Sequence, residues 1–184
     1  MIMKNTFEVT SGKIVCSDPC YEIPTWCQEI IENVANGTWE AEVVESGRVY
    51  RLFVTHMNSN TGGIEDFVGE SIGYCGVDSG QFGFFDFDYY RNDKIAENLQ
   101  KQDFGADFDE EDGDSWYRAC CKITIDEKWG VMPFGAVSRS GYGDGSYEVK
   151  GVKNKKDEWV GFCVEFIPDY EDDEEEEYEE EEDF

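Results

Sequence analysis

Most of the chain consists of short segments in which apolar and polar residues alternate. In residues 38–44, for example, Trp39, Ala41 and Val43 fall on one face of an extended strand, with glutamates between them. A period of two residues is the pattern of a half-buried β-strand, whereas a helix needs apolar residues three or four positions apart. The same alternation predicts further strands at residues 12–16, 48–55, 70–77, 81–87, 119–125, 131–138, 146–152 and 159–167.

Short breaks that contain glycine separate several of these strands. Residues 45–47, 78–80 and 140–145 each join two strand-like segments, which is typical of antiparallel hairpins. We therefore expect a mainly β fold, an antiparallel sandwich or barrel-like sheet, with one to three short helices.

Two segments have the spacing of a helix. Residues 25–34 place Trp26, Ile30 and Val34 on a common helical face, and residues 92–102 show a second, shorter pattern of this kind. We expect a short helix at each place, separated from the later strands by an acidic loop.

The last sixteen residues, 169–184, have a composition that cannot form a packed core. Thirteen of them are acidic and none is basic. Like charges repel, and too little apolar surface is present to offset the entropy that ordering would cost. We therefore expect one globular domain at residues 1–168, followed by a disordered acidic tail. Within this tail, the residues expected to contact a partner are Asp169, Glu171, Asp172, Asp173, Glu174 and Phe184.

The domain is acidic even without the tail. The whole chain has 43 acidic and 15 basic residues, a formal charge of -28, and thirty of the acidic residues lie before residue 169. Binding to a phosphate backbone needs clustered lysine and arginine, so direct nucleic-acid binding is not expected. A basic protein surface is the expected partner, and the carboxylates would then act as a nucleic-acid mimic.

The cysteines and the N-terminus bear on the compartment. Seven cysteines, an odd number, occur without the apolar run of a secretion signal, which favours reduced thiols and a cytoplasmic location. No segment approaches the roughly 18 apolar residues of a membrane span, so no membrane partner is expected.

Three polar stretches that follow predicted strands are candidates for a site. They are residues 17–21, 76–86 and 138–147, and each supplies a carboxylate and a hydroxyl group. Loops on a rigid scaffold are where binding and catalytic residues concentrate. The candidate pocket residues are Asp18, Cys20, Tyr21, Asp78, Ser79, Gln81, Asp86, Ser140, Tyr142, Asp144 and Ser146.

These stretches resemble a family of uncharacterised small bacterial and phage proteins, known as a domain of unknown function. The likeness is carried by Ser-Asp-Pro-Cys-Tyr at 17–21, by the run from Gly76 to Asp86, and by Ser-Gly-Tyr-Gly-Asp-Gly-Ser-Tyr at 140–147. The resemblance implies a single globular domain that covers most of residues 12–167, and it implies no established activity. A phage or immunity-type inhibitor role follows from the resemblance alone.

The carboxylates of the three stretches have two interpretations, one as functional groups and one as turn-stabilising residues. Asp18, Asp78, Asp86 and Asp144 would bind Mg²⁺ or Ca²⁺ if they converged, or would form an acid–base pair if burial separated their pKa values. The alternative is that each aspartate stabilises a turn next to proline, serine or glycine. No cofactor is predicted from this pattern, and a divalent cation stays open.

A cysteine nucleophile is the other catalytic reading. Cys20 would need His56 as its base, because His56 is the single histidine of the chain. His56 lies outside all three stretches, so a surface histidine is the better interpretation. The cysteine spacing does not match a paired zinc-binding pattern, so no metal site is assigned to the cysteines.

Two functions are therefore expected. The first is an acidic interaction or inhibitor protein that binds a basic protein partner. The alternative is a small-molecule-binding or metal-binding domain, hydrolytic in one version, whose site is built from the three stretches. The sequence leaves open whether the chain is an enzyme.

Overall fold

The computed structural model describes residues 5–59, 61, 67–95 and 115–168. The acidic tail, with its six expected partner-binding residues, lies outside this part of the chain. The acidic loop before residue 115 and most of the helix predicted at 92–102 also lie outside it, although residues 93–95 are helical.

Eleven strands, one 3-10 turn and one α-helix lie wholly within the described ranges. In chain order the strands are Thr6–Val9 (β1), Ile14–Ser17 (β2), Glu29–Ile31 (β3), Gly37–Ser46 (β4), Arg48–His56 (β5), Glu70–Val77 (β6), Gln81–Asp86 (β7), Trp129–Met132 (β8), Gly135–Arg139 (β9), Gly145–Lys153 (β10) and Trp159–Glu165 (β11). The helices are a 3-10 turn at Phe87–Tyr89 and an α-helix at Ser115–Glu127 (α1).

The strands form two antiparallel sheets. A six-stranded sheet has the order β1-β4-β5-β11-β10-β6, and a five-stranded sheet has the order β3-β2-β7-β9-β8. The fold is therefore mainly β and matches a sandwich, which confirms the predicted class.

Aromatic side chains fill the space between the sheets. The ring of Phe162 stacks on Trp39 with centroids 5.7 Å apart, and on Phe84 with centroids 5.8 Å apart. Helix α1 covers the other face of the five-stranded sheet, where Trp116 packs on Phe85. Strand β7 is consequently buried on both faces, which explains its run of large apolar residues.

One of the three predicted hairpins is confirmed. Strands β4 and β5 pair antiparallel around Gly47, with Val43 opposite Leu52. The hairpins predicted at 78–80 and 140–145 are wrong, because each of these breaks carries the chain from one sheet to the other. A glycine-containing break marks a change of direction, but it does not say which strand becomes the hydrogen-bonded neighbour.

The strand predicted at residues 119–125 is wrong, since these residues belong to α1. The segment satisfies both periodicities, because Trp116, Ala119, Cys120 and Thr124 also form one helical face, and all four are buried. Packing of that face on the second sheet decides in favour of the helix. Neither helix of the described residues is long and apolar enough to cross a bilayer.

The helix predicted at 25–34 is also wrong. The segment begins with a turn at residues 25–28 and continues into β3, in which Ile31 pairs with Ile14 of β2. Trp26 is 95% exposed and Val34 is 4% exposed, so the apolar face that the helical spacing suggested does not form. Pairing with an open edge of the second sheet outweighs a weak helical pattern.

A substitution at Gly83 tests how closely β7 packs against β9. A methyl group at Gly83 would lie 2.3 Å from the carbonyl oxygen of Ala136 and 2.3 Å from the Phe85 ring. We expect Gly83→Ala to lower the free energy of unfolding by about 3 kcal/mol, because a backbone atom cannot yield without breaking the strand pair. Urea unfolding measures this change.

Gly161→Ala is the matched control in the other sheet. Its added methyl group would meet only side-chain atoms, the nearest at 3.3 Å, so a loss within about 1 kcal/mol is expected. Equal losses for the two variants would contradict the packing described for β7.

Candidate functional site

The topology brings the three polar loops to the same edge of the fold. Strand β7 pairs antiparallel with both β2 and β9, so the end of β2, the start of β7 and the end of β9 face the same way. Residues 18–21, 78–80 and 140–144 follow or precede these strand ends. Their proximity is a consequence of strand pairing and not of nearness in sequence.

The carboxylate of Asp18 holds the first two loops together. Its Oδ2 atom accepts hydrogen bonds from the backbone amides of Asp78 at 2.8 Å and Ser79 at 2.7 Å. Its Oδ1 atom accepts from the Ser79 hydroxyl at 2.6 Å and from the Cys20 amide at 2.9 Å. Asp18 is fully buried, so its oxygens are engaged inside the protein and are not directed toward a ligand.

The third loop is attached to the second through the backbone. The amide of Ser140 donates to the carbonyl oxygen of Gly80 at 3.0 Å, and the Ser140 hydroxyl donates to the Gly143 carbonyl at 2.8 Å. The Tyr147 hydroxyl donates to the same Gly143 carbonyl at 2.6 Å. Gly141 and Gly143 have φ angles of 65° and 121°, which glycine adopts readily. The loop is therefore closed by its own hydrogen bonds.

The remaining residues of the third stretch face outward. Tyr142, Asp144 and Ser146 are exposed, and Ser146 lies opposite Gly76 in the pairing of β10 with β6. Tyr142 is the one that borders a concave surface. The third stretch thus contributes a wall, whereas the first two stretches form the support behind it.

Gln81 connects the second stretch to helix α1. The Gln81 side chain is buried, its Oε1 atom accepts from the Thr124 hydroxyl at 3.2 Å, and its Nε2 atom donates to the Cys121 sulfur at 3.4 Å. This pairing satisfies a buried amide and positions the helix on the sheet.

Asp86 lies apart from the other candidate residues. It is at the far end of β7 from Gln81, about 17 Å away at the rise of an extended strand. Its carboxylate accepts hydrogen bonds from the amides of Thr10 at 2.6 Å, Ser11 at 3.2 Å and Asp88 at 3.0 Å. Asp86 therefore stabilises the turn between β1 and β2 and does not share a site with Asp18.

The four aspartates do not form one metal centre. Asp86 is distant, the Asp18 carboxylate is saturated by donors, and Asp78 accepts a short hydrogen bond from the Tyr21 hydroxyl. Within residues 5–59, 61, 67–95 and 115–168, no group of three or more His, Cys, Asp or Glu could hold a metal ion.

Cys20 is not set up as a nucleophile. Burial, together with the nearby Asp18 carboxylate, raises the pKa of the Cys20 thiol to about 12. The ring of His56 lies on the other sheet, against Trp39, with its Nε2 atom 2.9 Å from the Asn36 carbonyl oxygen. Burial and the hydrogen bond to Asp78 likewise raise the pKa of the Tyr21 hydroxyl. The Cys20 thiol and the Tyr21 hydroxyl therefore stay protonated near neutral pH.

A basic cleft borders the third loop. It has a volume of about 520 Å³ and lies between the β4–β5 turn, the end of α1 and the 140–145 loop. Its charged lining residues are Arg48, Lys128 and Arg139, and Tyr142 forms part of the rim. We use the name basic cleft for the concave surface formed by residues 46–50, 128, 139, 141 and 142.

Each cation of the basic cleft has a defined environment. The Arg48 guanidinium lies 5.0 Å from the centre of the Tyr142 ring. The Lys128 Nζ atom contacts a Glu45 oxygen at 2.8 Å, and both side chains are about one-third exposed. Arg139 donates from Nε to the Thr124 carbonyl at 2.6 Å, at the end of α1. The cations are therefore fixed at the surface and open to solvent on one side.

No local pattern in the sequence indicates the basic cleft. Arg48, Lys128 and Arg139 come from three separate segments, and none of them lies in a basic run. The one available signal was Tyr142, which already belonged to the third stretch. The basic run at 150–156, which the sequence does display, lies at the other end of β10.

A second concavity lies beside the first polar loop. It has a volume of about 390 Å³, and its lining includes Tyr90, Trp116 and Tyr117. Its charged lining residues are Glu22, Asp93 and Arg91, so acidic groups predominate there. The Arg91 guanidinium donates to the Pro19 carbonyl at 2.7 Å, which ties this residue to the first loop. The two concavities thus differ in the sign of their charge.

No protein-family model, curated protein or solved structure shows detectable similarity to this chain. The resemblance of the three stretches to an uncharacterised bacterial and phage family therefore stays a prediction.

A substitution at Asp18 tests whether the polar loops contribute to the stability of the fold. We expect Asp18→Asn to lower the free energy of unfolding by about 3 kcal/mol, because an amide cannot accept from all four donors. Asp144→Asn, at an exposed carboxylate on the third loop, should change it by less than about 0.5 kcal/mol. Urea unfolding of both variants measures the difference, and a wild-type stability for Asp18→Asn would contradict the role given to Asp18.

The Cys20 thiol should react slowly with iodoacetamide. At pH 8 a thiol with a pKa near 12 holds far less thiolate than an ordinary cysteine, so modification should be at least about a hundredfold slower. Mass spectrometry of the Cys20 peptide gives the rate in the folded chain, with the urea-unfolded chain as the reference. Equal rates in the two states would show that Cys20 is not suppressed.

Proposed function

We propose that the chain is a binding domain for a small anionic ligand, with the basic cleft as its site. The observation that carries the proposal is the convergence of Arg48, Lys128 and Arg139 on one concave surface, in a chain whose formal charge is -28. The third stretch supplies Gly141 and Tyr142 to this surface. The proposal thus develops the small-molecule alternative of the sequence analysis.

The chemistry of the cleft fits a carboxylate or phosphate group. A guanidinium presents a planar set of donors that matches such groups in a bidentate fashion, and a lysine adds a compact positive charge. The Tyr142 ring under Arg48 holds the guanidinium in place and offers a flat apolar contact to a ligand. A volume of about 520 Å³ is within the usual range for small-molecule pockets.

The surrounding acidity does not prevent anion binding at this place. Charges separated by more than about 8 Å are largely screened at physiological ionic strength, so the nearby cations dominate the field in the cleft. The Glu45 carboxylate forms a surface pair with Lys128, and such pairs contribute little stability. A ligand oxygen can replace Glu45 at the lysine at small cost.

Binding is a better fit than turnover. The described residues that line the cleft include no cysteine, histidine or carboxylate, so the usual general bases and the strongest side-chain nucleophiles are not in the lining. The raised pKa of the Cys20 thiol gives no support to the hydrolytic version of the alternative.

The basic protein partner and the nucleic-acid mimic stay predictions from the sequence. They rest on the charge of the chain and on the tail, which lies outside the described residues. Capture of partners with and without residues 169–184 tests them, and identical results for the two chains would remove the role given to the tail.

Titration calorimetry with inorganic pyrophosphate and with citrate tests the proposed site. We expect heat of binding from the full chain, and at least a tenfold weaker affinity in Arg48→Gln, because a bidentate contact is lost. Lys155→Gln is the matched control, since it removes one positive charge from the turn after β10 and should leave the affinity unchanged.

Two results would contradict the anion site. One is equal weakening by Arg48→Gln and Lys155→Gln, which would indicate a general charge effect. The other is no heat with either anion at millimolar concentration, both for the full chain and for a full-length variant in which the acidic residues of 169–183 are changed to the matching amides.

A further inference from the structure

The described chain ends directly beside the basic cleft. The amides of Phe166 and Ile167 donate to the carbonyl oxygen of Tyr50 at 2.8 Å and 3.2 Å, and Tyr50 lines the cleft. Gly141, on the opposite wall, also approaches this point, since a methyl group there would lie 2.9 Å from the Ile167 side chain. The described chain therefore ends, at residue 168, next to the cleft.

The segment that follows has the charge that the cleft lacks. Residues 169–184 include thirteen acidic side chains and no basic ones. Sixteen residues can span at most about 55 Å when fully extended, so every part of the tail can reach the cleft. A covalently attached segment also acts at an effective concentration of the order of millimolar.

A second basic segment of the described residues is farther from the point where the described chain ends. Lys153 is the last residue of β10, and Lys155 and Lys156 lie in the turn that follows it. Strand β10 begins near the cleft and ends at that turn. The nine residues of β10 correspond to about 27 Å at the rise of an extended strand. Lys153 is in addition paired with Asp157 at 3.3 Å.

We infer that the acidic tail of this chain binds its own basic cleft and competes there with the small anionic ligand. This inference rests on the proposed function, because it assigns a regulator to the same site. Tail carboxylates take the place of the ligand's carboxylate or phosphate group at Arg48, Lys128 and Arg139. The tail then sets a threshold for ligand binding.

Zero-length crosslinking with a carbodiimide tests the contact without any added ligand. The reagent joins a lysine to a carboxylate that touches it, and peptide mass spectrometry identifies the pair. In the full chain we expect crosslinks from Lys128 to acidic residues of 169–183 in the species of monomer mass. They should exceed tail crosslinks to Lys153, Lys155 or Lys156 at least fivefold, and 1 M salt should abolish them because it reduces the screening length to about 3 Å.

Two native pairs serve as internal references in the same digest. Lys128 and Glu45 at 2.8 Å report that the cleft lysine is reactive, and Lys153 and Asp157 at 3.3 Å report the same for the distant turn. Arg48→Gln should lower the Lys128–tail crosslinks and leave the Lys153–Asp157 reference unchanged. The Lys128–Glu45 crosslink should not fall, because Glu45 and the tail share Lys128.

Three results of the crosslinking would overturn the inference. They are tail crosslinks concentrated at Lys153, Lys155 and Lys156, tail crosslinks found only in dimers, and no tail crosslink to Lys128 while the Lys128–Glu45 reference forms.

Pyrophosphate affinity separates this inference from the proposed function. Changing the acidic residues of 169–183 to the matching amides should raise the affinity at least fivefold, because the competitor is removed. Equal affinities of the two full-length chains would overturn the tail inference and leave the anion site standing. Loss of binding in both chains would instead contradict the anion site.

Discussion

The buried carboxylate of Asp18 is the interaction on which the candidate site depends. It fixes the loop between β6 and β7 by accepting from the Ser79 amide and hydroxyl. The next residue, Gly80, accepts a hydrogen bond from Ser140, which begins the loop that carries Tyr142. One wall of the basic cleft is therefore held in place by a carboxylate that lies behind it. The polar stretches at 17–21 and 76–86, which the sequence indicates as candidate binding or catalytic loops, provide this support.

The molecule carries an excess of negative charge, and the basic cleft is a local region of positive charge. The excess of acidic residues keeps the formal charge at -28. In the basic cleft, cations from β5, β9 and the end of α1 meet. The proposed anion site depends on these cations being close together, since screening weakens the influence of distant charges. The described chain ends at residue 168 beside the cleft, which makes the acidic tail the proposed regulator of that site.

Local patterns were sufficient for most strands and insufficient for their arrangement. The alternation in residues 38–44 predicted β4 because one side of that strand faces the core. The break at 78–80 wrongly predicts a hairpin, because a turn signal does not specify which strand becomes the hydrogen-bonded neighbour. Residues 119–125 wrongly predict a strand, because their apolar residues fit both the strand period and the helix period. Packing on the second sheet selects the helix. The basic cleft could not be predicted from the sequence, because Arg48 and Lys128 are far apart in the chain and line one surface only through the arrangement of the strands.

The position of the ligand decides whether this view of the molecule is right. Backbone amide NMR spectra of the full chain, recorded with and without inorganic pyrophosphate, locate the site directly. We predict that shift changes concentrate at residues 46–50 and 139–142, with smaller changes at the end of α1. Changes confined to the turn at 153–157 or to residues 18–21, or no change at all, would contradict an anion site at the basic cleft.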